Sequence, residues 1–241
     1  SRAADRYVST NGTDSGDFTS WVTAANSIQL AVDAATNVDD TVWVSNGTYL
    51  LTTQITVTNK IKLQSANGYS STLICADWPT YTTRCFYVAN RGVVDGFTIT
   101  NGHWDGSSGG GAYVTRTGAM QNCYFVNNVA SNWGGGAYVE YGGMVSNCTF
   151  ITNTVWGPGV KGGGVYLVYG GKALNCTIVS NRTISTTGLG GGAYVSSSTQ
   201  TNTISGGVIA GNWGGYGGGG VYLLAAGELR GVLISNNYNS T

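Results

Sequence analysis

Five times in 241 residues the chain sets three glycines before a small or branched residue, a tyrosine and a branched aliphatic residue. The blocks are Gly109–Val114 and Gly134–Val139 (GGGAYV), Gly162–Leu167 (GGGVYL), Gly190–Val195 (GGGAYV) and Gly218–Leu223 (GGGVYL). Their first glycines lie 25, 28, 28 and 28 residues apart. A second block follows each: Asn122-Cys123-Tyr124-Phe125, Asn147-Cys148-Thr149-Phe150 and Asn175-Cys176-Thr177-Ile178, drifting to Gly206-Gly207-Val208-Ile209 and Gly231-Val232-Leu233-Ile234. An asparagine closes every unit, at Asn128, Asn153, Asn181, Asn212 and Asn237. A unit of two or three short strands has no core of its own, so units in such a series must stack and pair edge to edge. Glycine triplets beside β-branched and aromatic residues exclude the helical solenoids. The repeat therefore predicts a β-solenoid.

Alternation along a strand assigns the faces. Ala112 and Val114, or Val165 and Leu167, are apolar in every unit and point inward, which sends the tyrosine between them outward. Cys148 and Phe150 likewise point in, and Asn147 and Thr149 out. Cys123, Cys148 and Cys176 share one repeat position and are expected to stack as buried thiols, about 4.8 Å per coil. The closing asparagines are expected to form an internal ladder that satisfies the backbone of the turns. Composition fits a folded chain: 41% hydrophobic with 15 Tyr and 7 Trp excludes disorder, and 2 Pro beside 39 Gly excludes collagen. Charged residues make up 9% and the net charge is zero, which leaves no electrostatic footprint for nucleic acid, polyanions or an anionic membrane. Apolar runs such as Val221 to Ala226 fall far short of the roughly 20 residues that span a bilayer, so no membrane insertion is expected of this segment. The chain opens on Ser1 and reads as processed or excised.

The GGG-[AV]-Y-[VL] block, the NC-x-[FI] block and the closing Asn resemble the right-handed parallel β-helix repeat proteins of pectate-lyase-like architecture, above all the repeats of bacterial secreted and outer-membrane β-helix proteins. Tyr7-Val8-Ser9, Trp21-Val22-Thr23-Ala24-Ala25, Ser27-Ile28-Gln29 and Val42-Trp43-Val44-Ser45-Asn46-Gly47-Thr48-Tyr49 are similar to the opening segment of that architecture. The likeness spans nearly the whole chain. It implies an all-β, single-stranded right-handed parallel β-helix of about seven or eight coils, a rod of roughly 35 to 40 Å. It also implies an extracellular or cell-surface location. One domain is expected, with residues 1–40 as opening segment and cap, 41–105 as irregular first coils and 106–241 as regular coils. Ile28, Ala31, Val32 and Ala35 have helical spacing within Ala24 to Ala35, which predicts a short helix covering the first coil.

Pectate-lyase-type catalysis, as the resemblance implies, needs an acidic cluster for calcium and a basic residue beside a groove. After Asp105 the acids are Glu140 and Glu228, too far apart in sequence to cluster by spacing, and Arg116, Lys161, Lys172, Arg182 and Arg230 fall at differing repeat positions. Such charges read as solvated surface. His103 and Asp105, two residues apart in a turn, are the candidates for an acid/base pair, although turns carry these residues routinely. In Asn11-Gly12-Thr13-Asp14-Ser15-Gly16-Asp17 the oxygens alternate as in a calcium loop, which makes Asp14 and Asp17 the candidate ligands, without the downstream bidentate Glu of such loops. The same residues simply make turns. Cys75 and Cys85 bracket the excursion Ala76 to Arg84, and a disulfide there suits a secreted protein.

The aromatic residues carry the functional expectation. Tyr113, Tyr138, Tyr166, Tyr194 and Tyr222 form an outward row, one per coil, and Trp104, Trp133, Trp156 and Trp213 sit in turns just before the glycine blocks. Stacked tyrosines stabilise a sheet through cross-strand contacts. A flat, low-charge aromatic face also binds sugar rings or another protein. Outward threonines, Thr149 and Thr177, make too short a row for ice binding. The sequence thus points to a non-catalytic secreted or cell-surface scaffold, self-associating in a fibre- or adhesin-like way, glycan-binding, or both. The rival is a polysaccharide lyase or glycoside hydrolase of the same architecture. No cofactor is expected beyond the calcium candidate. Nothing after Asn237 covers the final coil, so its edge is expected to be occupied by another copy or a downstream domain.

Overall fold

The computed structural model describes residues 3–106, 108–197 and 199–240. Its strands pair in parallel, each with its counterpart one coil away. Successive glycine blocks lie in register, with Tyr113 opposite Tyr138, Tyr138 opposite Tyr166, Tyr166 opposite Tyr194 and Tyr194 opposite Tyr222. Three sheets of 15, 7 and 6 strands line the sides of the resulting β-helix. The seven-stranded sheet runs from Ile55–Val57 to Val221–Leu224 with one strand per coil. The largest sheet holds two strand columns that fuse into the long strands Lys172–Val179 and Asn202–Ala210.

The corners explain much of the repeat. Between the two columns the backbone turns through the left-handed region at Asn122, Asn147 and Asn175, with φ of 53, 51 and 51°, and at Gly206 and Gly231 with φ of 67 and 59°. Asparagine and glycine are the residues that adopt this conformation at least cost, so the drift from NC to GG or GV keeps the backbone requirement while losing the letters. In the triplets the second glycine meets a different demand. A Cβ on Gly135 would fall against the carbonyl oxygens of Thr154 and Gly163, so two neighbouring strands approach there with no room for a side chain.

Inside the coils, the inward residues form continuous stacks. Ala137, Val139, Val165, Leu167, Ala193 and Val195 are fully buried, Phe125 and Phe150 stack at 4.5 Å, and Cys123, Cys148 and Cys176 are buried beside them. The closing asparagines run through this apolar interior. Asn153 Oδ1 accepts from the amide and the Nδ2 of Asn128, both at 3.0 Å, while its own Nδ2 donates to Phe125 O and Asn181 Oδ1 at 3.0 and 2.9 Å. Asn181 and Asn212 repeat the pattern, and Asn237 ends it.

At the N-terminal end, helix Ile28–Ala34 lays Ile28, Ala31 and Val32 over the first coil. It is shorter than the spacing from Ala24 predicted. Ala25 bridges to Val8 in the sheet manner, and the amides of Asn26 and Ser27 donate to Asp14 Oδ1 at 2.7 Å, which holds this stretch out of a helix until Ser27 caps it. No described helix is long and apolar enough to cross a membrane. In the last coil Leu223, Leu233, Ile234 and Tyr238 are exposed, and Val232 is partly buried against the core.

The expected disulfide between Cys75 and Cys85 is not formed, and all five cysteines are free thiols. Strand alternation separates the pair. Along Thr72–Ala76 the inward positions are Thr72, Ile74 and Ala76, so Cys75 faces outward toward Asn101, whereas Cys85 is buried with its Sγ against Thr100 O at 3.4 Å. Burial pushes the Cys85 thiol up to about 12.

Two outcomes follow from this packing. Asn153→Ala strands several buried donors and acceptors at once, each costing about 1 to 3 kcal/mol, and lowers stability by at least about 3 kcal/mol in urea unfolding. A thiol reagent applied without reductant titrates all five cysteines in denaturant, but in the native protein reacts quickly with about one, Cys75, the other four being buried.

Candidate functional site

The tyrosine row is outside the coil core, as alternation requires, but it is not the exposed face expected. Tyr138, Tyr166 and Tyr194 are 6%, 7% and 2% exposed. Tyr87 joins the row, and six rings stack from Tyr87 through Tyr113, Tyr138, Tyr166 and Tyr194 to Tyr222 with successive centroids 5.5, 4.9, 5.1, 5.0 and 5.4 Å apart. A second ladder covers them. Trp133, Lys161 and Leu189, each immediately before a glycine triplet, bridge in sequence along the coils. Trp133 stacks on Tyr166 at 5.6 Å, Lys161 Nζ sits 5.1 Å from the Tyr194 ring, and Leu189 packs on the same cluster. The row is a second core on the outside of the first.

Glu140 belongs to this second core. It is nearly buried and accepts from the Tyr113 hydroxyl at 2.6 Å, the Thr115 hydroxyl at 3.2 Å and the Tyr138 hydroxyl at 3.4 Å. Burial first, and then the neighbouring Glu140 carboxylate, push the Tyr113 and Tyr138 phenols well above their ordinary 10.0; burial does the same for Tyr166. A phenol whose folded value is raised contributes stability that is complete below the unfolded value and is lost as pH rises toward the folded one. Ultraviolet titration of tyrosinate therefore shows a buried set, Tyr113, Tyr138 and Tyr166 among them, that ionises only in a cooperative alkaline unfolding step. Glu140→Gln removes the carboxylate and shifts part of that buried set to lower pH.

An exposed strip with aromatic side chains lies on the six-stranded sheet instead. Trp156, Ile184, Trp213 and Tyr238 are 45%, 47%, 41% and 61% exposed. Trp156 pairs with Ile184 across Thr154–Trp156 and Arg182–Ile184, Arg182 with Trp213, and Trp213 with Tyr238, so the four side chains run along adjoining coils beside Arg182. The closing asparagine fixes their direction. It points inward, so the next residue points outward, as at Arg182, Trp213 and Tyr238, and two positions further on Trp156 and Ile184 do the same. Ile184 and Tyr238 were missed because they match no repeat letter; their offset from Asn181 and Asn237 was the available signal.

The remaining candidates have local roles. Trp104 is half-buried against the Arg84 guanidinium, at 4.4 Å. His103 and Asp105 do meet, with Nε2 3.2 Å from Oδ1, and the imidazole stacks flat on Trp78 at 3.6 Å. Asp14 is tied to the start of the helix through Asn26 and Ser27, and Asp17 accepts from the Thr19 amide and the Thr23 hydroxyl, which hold its carboxyl below the usual 3.8. Among the described residues no three His, Cys, Asp or Glu side chains gather as a metal centre does.

No family model matches the chain, and no curated protein sequence does. Solved structures with a similar course include the pectin methylesterase of Aspergillus niger in two deglycosylated forms, at 13% and 14% identity and a TM-score of 0.48, covering 100% of this chain and 91% of that one. A rhamnogalacturonan lyase gives 12% identity and 0.42 over 94% of this chain and 75% of its own. At such identities and scores the likeness carries no function; the β-helix itself rests on the strand pairings above.

Proposed function

We propose that the protein is a non-catalytic, secreted or cell-surface β-helix scaffold that binds glycan through Trp156, Ile184, Trp213 and Tyr238. The observation that carries this reading is the exposure of two tryptophans and a tyrosine, 41 to 61%, on a hydrogen-bonded sheet that fixes their spacing. Aromatic faces of this kind stack on the C–H faces of sugar rings, and a rigid platform spares the ordering cost that a loop would incur. Arg182, outward beside Trp213, supplies hydrogen-bond donors to ring hydroxyls. The acids of the regular coils support a non-catalytic role, since Glu140 is taken up by tyrosine and threonine hydroxyls and Glu228 by Arg230 at 2.6 Å. The opposing observation is the contact of His103 with Asp105, which favours a glycan-cleaving enzyme.

Affinity electrophoresis in gels containing neutral and acidic polysaccharides tests the reading. Trp156→Ala and Trp213→Ala each weaken retention about tenfold, in the range of an interface hot spot, and leave the melting temperature within a few degrees. Tyr166→Ala has the opposite signature, a stability loss of about 3 to 5 kcal/mol for removal of a buried ring. Retention unchanged in the Trp156→Ala/Trp213→Ala double variant sinks the proposal. Release of new reducing ends that His103→Ala abolishes assigns the rival activity instead.

A further inference from the structure

We infer that Arg84 anchors a second binding site, a groove at the head of the tyrosine stack that takes an oxyanion, carboxylate or sulfate, carried on a hydroxylated ring. The site lies apart from the glycan-binding residues proposed above and does not depend on them. It exists because the stack stops. Tyr87 pairs with Thr56 of the preceding coil, where the row has no ring to continue it. A groove of about 430 Å³ opens there, lined by Thr52, Gln54, Thr82, Arg84, Tyr87 and Trp104 among others.

Arg84 is the informative side chain. It is 7% exposed, with its guanidinium carbon 4.4 Å from the Trp104 ring and 5.1 Å from the Tyr113 ring. Its Nε is buried without a partner, and so is Trp104 Nε1. Two unanswered buried donors in contacting side chains of one groove are a departure from the rule that such groups are paired. No ion pair reaches Arg84 among the described residues. Glu140, the carboxylate on the stack, is instead engaged by Tyr113, Thr115 and Tyr138. Burial lowers the guanidinium to about 10, which still leaves it charged at neutral pH. An unpaired buried charge is costly to the folded state, and departures of this kind are expected where a ligand completes the arrangement.

The ligand chemistry follows from the walls. A guanidinium presents a planar fork that matches two oxygens of a carboxylate or sulfate. The Tyr87 and Trp104 rings offer flat faces for a ring. The threonine hydroxyls and the Gln54 amide suit a ligand with several hydroxyls. The volume lies within the range of small-molecule pockets. An acidic monosaccharide unit combines these features, and its anion has two sources, a uronic carboxylate or a sulfate ester.

Calorimetric titration of the full chain at low salt with glucuronate, glucose 6-sulfate, glucose and inorganic sulfate tests the assignment. Expected is binding of one or both acidic sugars at least tenfold tighter than glucose or sulfate, with the stronger of the two naming the source. Arg84→Met, which keeps the aliphatic bulk, abolishes that preference, and Arg84→Lys retains part of it. Without ligand, Arg84→Met melts at or above the wild-type temperature, because an uncompensated buried charge is gone. If that variant does not fold, wild-type melting decides: acidic sugars raise the transition and glucose does not, also in the Trp156→Ala/Trp213→Ala double variant, which keeps failure of this site distinct from failure of the exposed strip. Equal affinity for glucose, sulfate alone binding as tightly as the sugars, or Arg84→Met binding like wild type overturns the inference.

Discussion

A parallel β-helix must carry polar backbone around tight corners inside an apolar tube, and here the closing asparagines meet that demand. The side chains of Asn128, Asn153, Asn181, Asn212 and Asn237 lie inside the coil; the Asn128 oxygen accepts from the Gly102 amide, each later oxygen accepts from the preceding asparagine, and each Nδ2 donates to a strand carbonyl or to the next rung. Leaving such groups unpaired in a low-dielectric interior costs far more than a single hydrogen bond returns. The ladder thus fixes the register, and the register in turn places every outward side chain on the three sheets.

That register turns a row of tyrosines into structure. One ring per coil at the parallel-strand spacing makes stacking unavoidable, and Trp133, Lys161 and Leu189, each before a triplet, close over the stack. The outcome is a tube with two apolar layers on one side. On the six-stranded sheet no such second layer covers Trp156, Ile184, Trp213 and Tyr238, which stay exposed. The backbone of this strip is held by pairing on successive coils, which fixes the spacing of the four side chains.

Low overall charge conceals local electrostatics. With 11 basic and 11 acidic residues the chain has no net field to gather a polyanion. A single guanidinium shielded from water by aromatic rings is a different matter, because its interactions are screened little and strengthened by the low dielectric around it. Arg84 is such a group, and composition holds no trace of it.

The sequence by itself determined the coil. Spacing gave the units, alternation gave the inward stacks, and the repeated Asn and Cys positions gave the ladder and the buried thiols, because each is a consequence of local periodicity and of nearest-neighbour stacking. The drift to Gly206 and Gly231 was visible only as a change of letters, and the backbone showed that both keep the left-handed corner of Asn122, Asn147 and Asn175. Tertiary structure alone decided exposure and partnership between columns. Whether Trp133 lies over Tyr166, whether Cys75 faces Cys85, and whether Arg84 meets a carboxylate depend on how corners aim side chains from different turns at one another. Those angles arise from the closed coil as a whole, and no periodicity within one unit encodes them.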